Sequence, residues 1–550
     1  MNRTRHLAAA GLWLLGPSCL IALLAGCSGT VADTGDGGPD AADGGDAGAD
    51  PGGDPGGDPG ADPGGDPGGD AGADPGGDPG GDPGADPGGD PGGDPGGDPG
   101  GDPGGDAGPD GGADGDGGAL DPGPAAGLIP DFPLWQPPAD AVHIDPEQGS
   151  DAEGDGSRAQ PYASLAPVDW SAGLVVVLRR GTTLESDAIG LGADGLTLAS
   201  YGQGPRPLLR CTAVAQPGAN RHAIRLDGPS GVTVRDLVIQ APEATSCLRA
   251  GGADGLAVIN CALHGAGWGL RAFSLSGLEV YNTEVYDIDD DGMFIQGVTD
   301  IEIHHCHVHH VNRNWTPPYT PQSEAGGDAV QLSNCDRWQV HHNLLDRSDS
   351  GNKFCFISNN PAQSQGRFEH NRLYGPQTGG DGGASIYFGD GQGLLVRYNH
   401  VGPPSPGPLY THASGLEIAG NVFVDLSGGI YASHSARVVN NVFYDMPAAL
   451  SGGTIEARNN VFAGGAAAAQ PFGATDSLAH SHNLYTQGPA PDGSLVGQPA
   501  FVDPAGGDFH LGPGSDCIDR GSDVGLDQDA DGTPIPKGAA PDIGAFEHRP

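Results

Sequence analysis

Short apolar segments bounded by glycine and polar residues recur along the chain. Most segments open on an apolar or small residue and have a polar or small residue at the fourth position, and all close on an apolar residue. Early and late copies read Val234-Arg-Asp-Leu-Val-Ile and Val438-Val-Asn-Asn-Val-Phe. Eleven copies begin at positions 234, 258, 280, 303, 340, 368, 396, 418, 438, 457 and 480. Short runs rich in branched and aromatic residues predict strands rather than helices.

The spacing of these copies predicts the fold. Seven of the ten steps lie between 19 and 24 residues, and the other three are 37, 28 and 28 residues long. One copy cannot bury its own apolar face, but stacked copies form a continuous core. A coil of about 23 residues with three short strands is the rung of a parallel β-helix. We therefore predict an all-β parallel β-helix solenoid of about 11 or more rungs.

Asparagine occupies the fourth position of the phrase in the last seven copies. Stacked amides can bond from rung to rung, so we predict a ladder made of Asn343, Asn371, Asn399, Asn421, Asn441, Asn460 and Asn483. The same column holds Cys261 and Cys306, two rungs apart. That is roughly 9.6 Å, too far for a disulfide, so these cysteines are predicted to be buried thiols.

Both ends of the repeat region resemble a known family. The entry His143-Ile-Asp-Pro-Glu-Gln-Gly-Ser-Asp and the exit Pro541-Asp-Ile-Gly-Ala-Phe-Glu are similar to the opening and ending of the right-handed parallel β-helix (pectate-lyase-like) family. The resemblance covers about residues 141–548. It implies a right-handed coil and a place among exported bacterial carbohydrate-active proteins, but a fold hosts many reactions.

The first 27 residues read as a targeting signal. Arg3 and Arg5 precede an apolar run that ends Leu24-Ala25-Gly26-Cys27, which resembles the lipobox of bacterial lipoproteins. We expect Cys27 to carry lipid and to be the only membrane attachment. The expected location is the bacterial cell envelope, at the outer membrane and with surface exposure. The alternative is an ordinary signal peptide with a chance cysteine.

Residues 28–125 are predicted to be a disordered acidic spacer. They repeat Gly-Gly-Asp-Pro and offer almost nothing to bury. A calcium-binding repeat would need apolar strand residues between these elements, and none are present. The whole chain has a formal charge of −47, which disfavours nucleic-acid binding and requires a local cation or a metal for any anionic ligand. We expect a monomer.

Three charged residues form the candidate catalytic column. Aligning the strand before each phrase places Asp291, Asp328 and Lys353 on consecutive rungs, with Ser358-Asn359 matched to Ser333-Asn334. Lysine occurs twice in the chain, at 353 and 537. Uronate lyases need a base, which Lys353 could supply, and a group that neutralises the substrate carboxylate. The alternative is a charged ladder that satisfies itself across the rungs.

Two further sets of residues complete the predicted site. Calcium held by Asp289, Asp290, Asp291 and Asp328 could neutralise the uronate. The longest inter-rung loop contributes Arg313, Trp315 and Tyr319, which suit a sugar ring and its carboxylate. Packing of these aromatic side chains against the coil is an equal alternative.

Histidines are concentrated on two neighbouring rungs, at positions 304, 305, 307, 309, 310, 341 and 342. Imidazole suits zinc or copper. However, His305, His342 and His370 stack where asparagine stands on other rungs, so a polar turn ladder is the preferred interpretation.

These observations predict an exported envelope lipoprotein that binds an acidic polysaccharide. If it is an enzyme, a polysaccharide lyase acting by β-elimination is favoured. The alternative is a non-catalytic surface adhesin or matrix-binding protein, since no complete catalytic motif is present. A glycoside hydrolase acting on a polyuronide is a minor alternative, because a pair of carboxyl groups can also catalyse hydrolysis of a glycosidic bond.

Overall fold

The computed structural model describes residues 128–211, 221–242, 244–311, 327–346, 355–361, 363–374, 386–403, 407–468, 470–490 and 493–549. The predicted signal, its Cys27 and the spacer up to residue 125 lie outside these ranges. Within the described part, no helix is long and apolar enough to cross a membrane.

The described residues form strands and two short 3₁₀ helices. The strands of the first half are β1 (Val142–Ile144), β2 (Val175–Arg179), β3 (Thr183–Ser186), β4 (Ile189–Gly190), β5 (Thr197–Tyr201), β6 (Leu208–Cys211), β7 (His222–Asp227), β8 (Val232–Arg235), β9 (Val238–Gln240), β10 (Ser246–Gly251), β11 (Asp254–Ile259), β12 (Ala262–His264), β13 (Trp268–Phe273), β14 (Ser276–Tyr281), β15 (Glu284–Tyr286), β16 (Met293–Gln296), β17 (Thr299–His304), β18 (His307–Val308), β19 (Val330–Ser333), β20 (Asp336–His341) and β21 (Leu344–Asp346).

The second half continues the same alternation. Its elements are β22 (Phe356–Asn359), β23 (Gly366–Glu369), β24 (Arg372–Tyr374), β25 (Ile386–Phe388), β26 (Leu395–Arg397), β27 (His400–Gly402), β28 (Leu409–Thr411), β29 (Leu416–Ala419), β30 (Val422–Val424), β31 (Ile430–Val439), β32 (Val442–Tyr444), β33 (Leu450–Arg458), β34 (Val461–Ala463), η1 (Ala466–Ala468), β35 (Phe472–Ser481), β36 (Leu484–Tyr485), β37 (Leu495–Val496), β38 (Phe501–Asp503), η2 (Pro504–Gly506) and β39 (Asp508–Leu511).

Each rung contributes one strand to each of three parallel faces. The first face contains β7, β10, β13, β16, β19, β22, β25 and β28; the second contains β8, β11, β14, β17, β20, β23, β26 and β29; the third contains β9, β12, β15, β18, β21, β24, β27 and β30. The long strands β31 and β33 bend from the first face into the second. The chain is thus an all-β, right-handed parallel β-helix, as predicted.

Apolar residues at alternate positions of each strand point inward and stack on their equivalents in the next rung. On the second face this column runs through Val258, Val280, Ile303 and Val340, all fully buried. Because parallel strands lie about 4.8 Å apart, the stacked branched side chains leave little void between rungs. All seven cysteines in the described residues are buried free thiols, as predicted for the two in the column. Burial raises the pKa of the Cys261 and Cys306 thiols to about 12.

The predicted asparagine ladder is present and buried. The Nδ2 of Asn399 donates to the Asn421 carboxamide oxygen at 2.9 Å and to the Phe368 carbonyl at 2.8 Å. Its own oxygen accepts from the backbone N–H of Asn371 at 2.8 Å and from the Asn371 side chain at 3.1 Å. The amide column therefore fixes the register of successive rungs where the second face turns into the third.

We expect Asn399→Ala to lower the free energy of unfolding by about 3 kcal/mol, because it leaves buried donors of Asn371 without their acceptor. Urea denaturation followed by circular dichroism measures this loss. The exposed Gln339→Ala is the control, with an expected change within about 0.5 kcal/mol. An equal loss of unfolding free energy in both variants would contradict a stabilising role of the asparagine ladder.

Left-handed residues precede the amide ladder at the same corner. Asn260, Asn282, His305, His342 and His370 all have φ between +48° and +55°. Asparagine tolerates this region better than most residues, and the histidines extend the column by ring stacking. The predicted polar turn ladder is confirmed.

Candidate arginine-rich binding face

Three arginines stack on consecutive rungs of the first face. Arg225 in β7, Arg249 in β10 and Arg271 in β13 are direct strand partners and point outward. We call these three residues the arginine ladder. Like charges placed opposite each other on neighbouring strands destabilise a sheet. A chain with 71 acidic and 24 basic residues that gathers three cations here has formed a local anion-attracting surface.

Aromatic rings support the arginine ladder. The Arg271 guanidinium carbon lies 4.5 Å from the ring centre of Trp268 and 5.0 Å from that of Phe273. Arg249 lies 5.7 Å from the same Phe273 ring. These cation–π contacts hold the guanidinium groups in place.

Asp227 pairs with two members of the arginine ladder. Asp227 accepts from Arg249 Nη1 at 2.5 Å and also pairs with Arg225, whose side chain is 57% exposed. The arginine ladder also affects the neighbouring His222. Burial of the ring lowers the pKa of His222 to about 3, and repulsion of its charged form by all three arginines contributes to this shift.

The outward column that begins with the arginine ladder continues along the first face. In successive strands from β16 to β33 it reads Phe294, Gln331, Ile357, Tyr387, Tyr410, Tyr431 and Ser451. The ring centres of the neighbouring Tyr410 and Tyr431 are 6.1 Å apart. The face therefore offers cations at one end and planar rings at the other, along a line parallel to the axis of the coil.

The predicted acid pair lies at the corner beside the arginine ladder. Asp291 and Asp328 lie two residues before Met293 and Val330, which are paired on neighbouring strands. Both carboxyl groups are buried, and the two residues are 5% and 4% exposed. The backbone N–H of Asp328 donates to Asp291 Oδ1 at 2.6 Å, and the side chain of Trp268 donates to the same carboxyl group. The pKa of Asp291 is raised well above 3.8 by burial first, then by Asp290 and Asp328.

The register of β22 differs by one residue from the alignment on which the Lys353 prediction was based. Val330 pairs with Phe356 and Ser333 pairs with Asn359, one residue later than the alignment that matched Val330 to Cys355. The reason is that Ser358 is buried at the inward position that Leu332 holds in the rung before, so the two Ser-Asn pairs are not equivalent. Matching the two Ser-Asn pairs in the sequence therefore shifted the alignment by one residue.

The remaining predicted site residues stay untested. Lys353 itself and the loop residues Arg313, Trp315 and Tyr319 lie outside the described residues, so their roles stay predictions. Among the described residues, Asp289, Asp290, Asp291 and Asp328 are not one of the groups that bring three potential metal ligands within 4.8 Å of one another. The calcium site also stays a prediction.

Two histidine–glutamate groups do bring their ligand atoms together within the described ranges. One contains Glu284, His307 and His309, and the other contains Glu302, His304 and His341. In the first, His309 Nε2 lies 2.9 Å from Glu284 Oε1. In the second, His341 Nε2 lies 3.1 Å from Glu302 Oε1.

The arginine ladder was missed in the sequence although its signal is present there. Ile224-Arg-Leu, Leu248-Arg-Ala and Leu270-Arg-Ala recur at steps of 24 and 22 residues, which match the main repeat. The phrase used to find the rungs falls on the second and third faces. A search for a second repeated phrase within each rung would have found these arginines.

Comparison with known proteins agrees with the fold. The family model described as a right-handed beta helix region matches residues 217–351, and the chain is a right-handed parallel β-helix protein. The search of curated proteins found no match.

Solved structures give remote likenesses. XylC in complex with xylose is 11% identical, with a TM-score of 0.40, and covers 74% of this chain and 99% of its own. Pectate lyase Pel9A is 14% identical, with a TM-score of 0.37, covering 74% and 97%. The GH136 lacto-N-biosidase from Eubacterium ramulus is 15% identical, with a TM-score of 0.38, covering 62% and 67%. Likenesses of this size say nothing about the ligand or reaction of this chain.

Proposed function

We propose that this β-helix binds an acidic polysaccharide along its first face, with carboxylates on the arginine ladder and sugar rings on the aromatic residues. The observation that carries the proposal is the stacking of Arg225, Arg249 and Arg271 on adjacent rungs. Rungs repeat about every 4.8 Å, which is comparable with the advance of one sugar in an extended polysaccharide. A linear polymer with one acid per sugar therefore matches a column of arginines.

The chemistry of the side chains supports this class of ligand. A guanidinium group binds a carboxylate through two parallel hydrogen bonds, which are stronger than neutral ones. Aromatic side chains present large planar surfaces to a sugar ring. Because the rest of the domain is acidic, a polyanion would be repelled from most other surfaces and directed to this one.

A comparison of one polymer in two charge states tests the proposal. We expect polygalacturonate to bind in calorimetric titration and its fully methyl-esterified form to bind at least tenfold more weakly, since esterification removes the carboxylates. Binding should also weaken as salt rises. Equal binding of the two forms would contradict recognition through charge.

Cleavage of the bound polymer is a second candidate function. A protonated buried carboxyl group beside a second carboxyl group is the arrangement that glycoside hydrolases use as acid and base. The raised pKa of Asp291 next to Asp328 favours that hydrolytic role. β-Elimination with Lys353 as base remains the other route. Release of new reducing ends without unsaturated uronates would indicate hydrolysis, and ultraviolet-absorbing unsaturated ends would indicate elimination.

We propose in addition that the protein is exported and anchored by lipid on Cys27. The expected result of Cys27→Ser is transfer of at least nine-tenths of the protein from the membrane fraction to the soluble fraction, because a lipid-anchored chain loses its attachment. Immunoblotting of fractionated cells, with Cys19→Ser as the matched control, measures this. A Cys27→Ser protein that stays with the membrane would contradict the lipid anchor.

A further inference from the structure

The second face carries a cluster of histidine and glutamate that the polysaccharide-binding surface does not use. His304 ends β17 and His341 ends β20, and the two are direct strand partners whose rings stack with centres 5.0 Å apart. Glu302, two residues before His304, also points outward. One ligand atom from each of the three residues lies within 4.8 Å of the other two.

The ring nitrogens lie close to carboxylate oxygens. His304 Nε2 lies 3.5 Å from Glu279 Oε1. His341 Nε2 lies 3.1 Å from Glu302 Oε1. Around a tetrahedral zinc ion with bonds of about 2.0–2.1 Å, ligand atoms are about 3.3 Å apart. The His341–Glu302 distance already meets this value.

The opposite nitrogens have partners that can orient these rings. His304 Nδ1 lies 3.2 Å from His305 Nδ1, and His341 Nδ1 lies 2.9 Å from His342 Nδ1. A metal-binding histidine commonly donates its second N–H to a neighbouring acceptor, which fixes the ring and makes the ligand more basic. Neutral His305 and His342 can accept those bonds.

Charge and access also suit a cation. Glu302 and Glu279 supply negative charge, and their side chains are 47% and 43% exposed. An ion can therefore reach the cluster from solvent.

We propose that His304, His341 and Glu302 bind one divalent transition-metal ion of the zinc type, with Glu279 beside them as a further carboxylate. Two nitrogens and one carboxylate leave a fourth position for water or a ligand. The site lies on the second face and is independent of the proposed polysaccharide surface. Histidine and carboxylate ligands favour zinc or copper over calcium, which prefers oxygen ligands alone.

Calorimetric titration of chelator-treated protein with Zn²⁺ tests the proposal. We expect saturable binding in the wild type, and at least a tenfold loss of affinity at this site in His341→Gln and Glu302→Gln. His342→Gln, which removes only a supporting contact, should weaken binding about tenfold. Cobalt substituted for zinc should give visible absorption typical of four-coordinate nitrogen and oxygen ligands.

Two control variants locate the site. His434→Gln, at an exposed histidine outside the cluster, should leave zinc binding unchanged. His309→Gln alters the other histidine–glutamate group and should also leave this binding event unchanged. Zinc binding that survives in folded Glu302→Gln and His341→Gln, or is lost in His309→Gln instead, would overturn the assignment. Absence of zinc binding by the wild type would overturn it directly. If His341→Gln does not fold, the zinc affinity of Glu302→Gln, at an exposed residue, tests the assignment by itself.

Discussion

Replacing Arg249 by glutamine is expected to weaken the binding of polygalacturonate about ten- to hundredfold. Arg249 is the middle residue of the arginine ladder, and its guanidinium rests against Phe273. A hydrogen bond to a charged group contributes about 1.5–3 kcal/mol, and 1.4 kcal/mol corresponds to a factor of ten. Arg249→Lys should give an intermediate loss, because the charge remains but the two-pronged geometry does not.

Three further variants separate binding from structure. Arg225→Gln, at the most exposed arginine of the three, should lose affinity without loss of stability. Asp227→Asn should instead strengthen binding several-fold, because it removes the anion that pairs with Arg249 and Arg225. Arg458→Gln removes an exposed arginine from the second face and is the matched control. Losses of equal size in Arg249→Gln and Arg458→Gln would contradict a localised site.

Replacing Asp291 by asparagine is expected to stabilise the fold at pH 8 by about 1–3 kcal/mol, the usual range for a buried polar group that lacks full compensation. Burial raises the pKa of Asp291 in the folded protein above 3.8. The unfolded chain therefore loses this proton first as pH rises. Stability is highest while the group is protonated and declines from about pH 4 until the raised folded pKa is passed.

The variant removes this decline, so the difference between variant and wild type should be small near pH 3.5 and should grow with pH. Thermal unfolding at several pH values measures it. Asp254→Asn, at an exposed aspartate, is the control and should follow the wild type. If the chain cleaves its ligand, Asp291→Asn should also lower the rate at least a hundredfold. A variant less stable than the wild type at pH 8 would contradict the account of Asp291.

The repeat predicted the fold because every rung meets the same constraints. An inward apolar residue such as Val280 and an amide such as Asn399 must recur wherever one coil lies on the next, so their spacing is visible in the sequence. The left-handed corner residues follow the same logic. This is why His305 and His342 could be interpreted as members of a turn column.

The candidate site was harder to predict because it depends on register. A single buried serine, Ser358, stands where the rung before has Leu332, so matching the Ser-Asn pairs moved the alignment of β22 by one position. Residues that face outward are not constrained by packing, so their alignment cannot be read from the apolar repeat. The cations that define the proposed surface, Arg249 among them, lie on a face that the apolar phrase did not mark.

The most direct test of the arginine ladder is a crystal structure of the domain with an acidic tri- or tetrasaccharide. The account predicts that the sugar chain runs parallel to the axis of the coil. Its carboxylates should lie at about 2.7–2.9 Å from the guanidinium nitrogens of Arg225, Arg249 or Arg271. A saccharide bound at another face, or one whose carboxylates point away from all three arginines, would contradict the central claim.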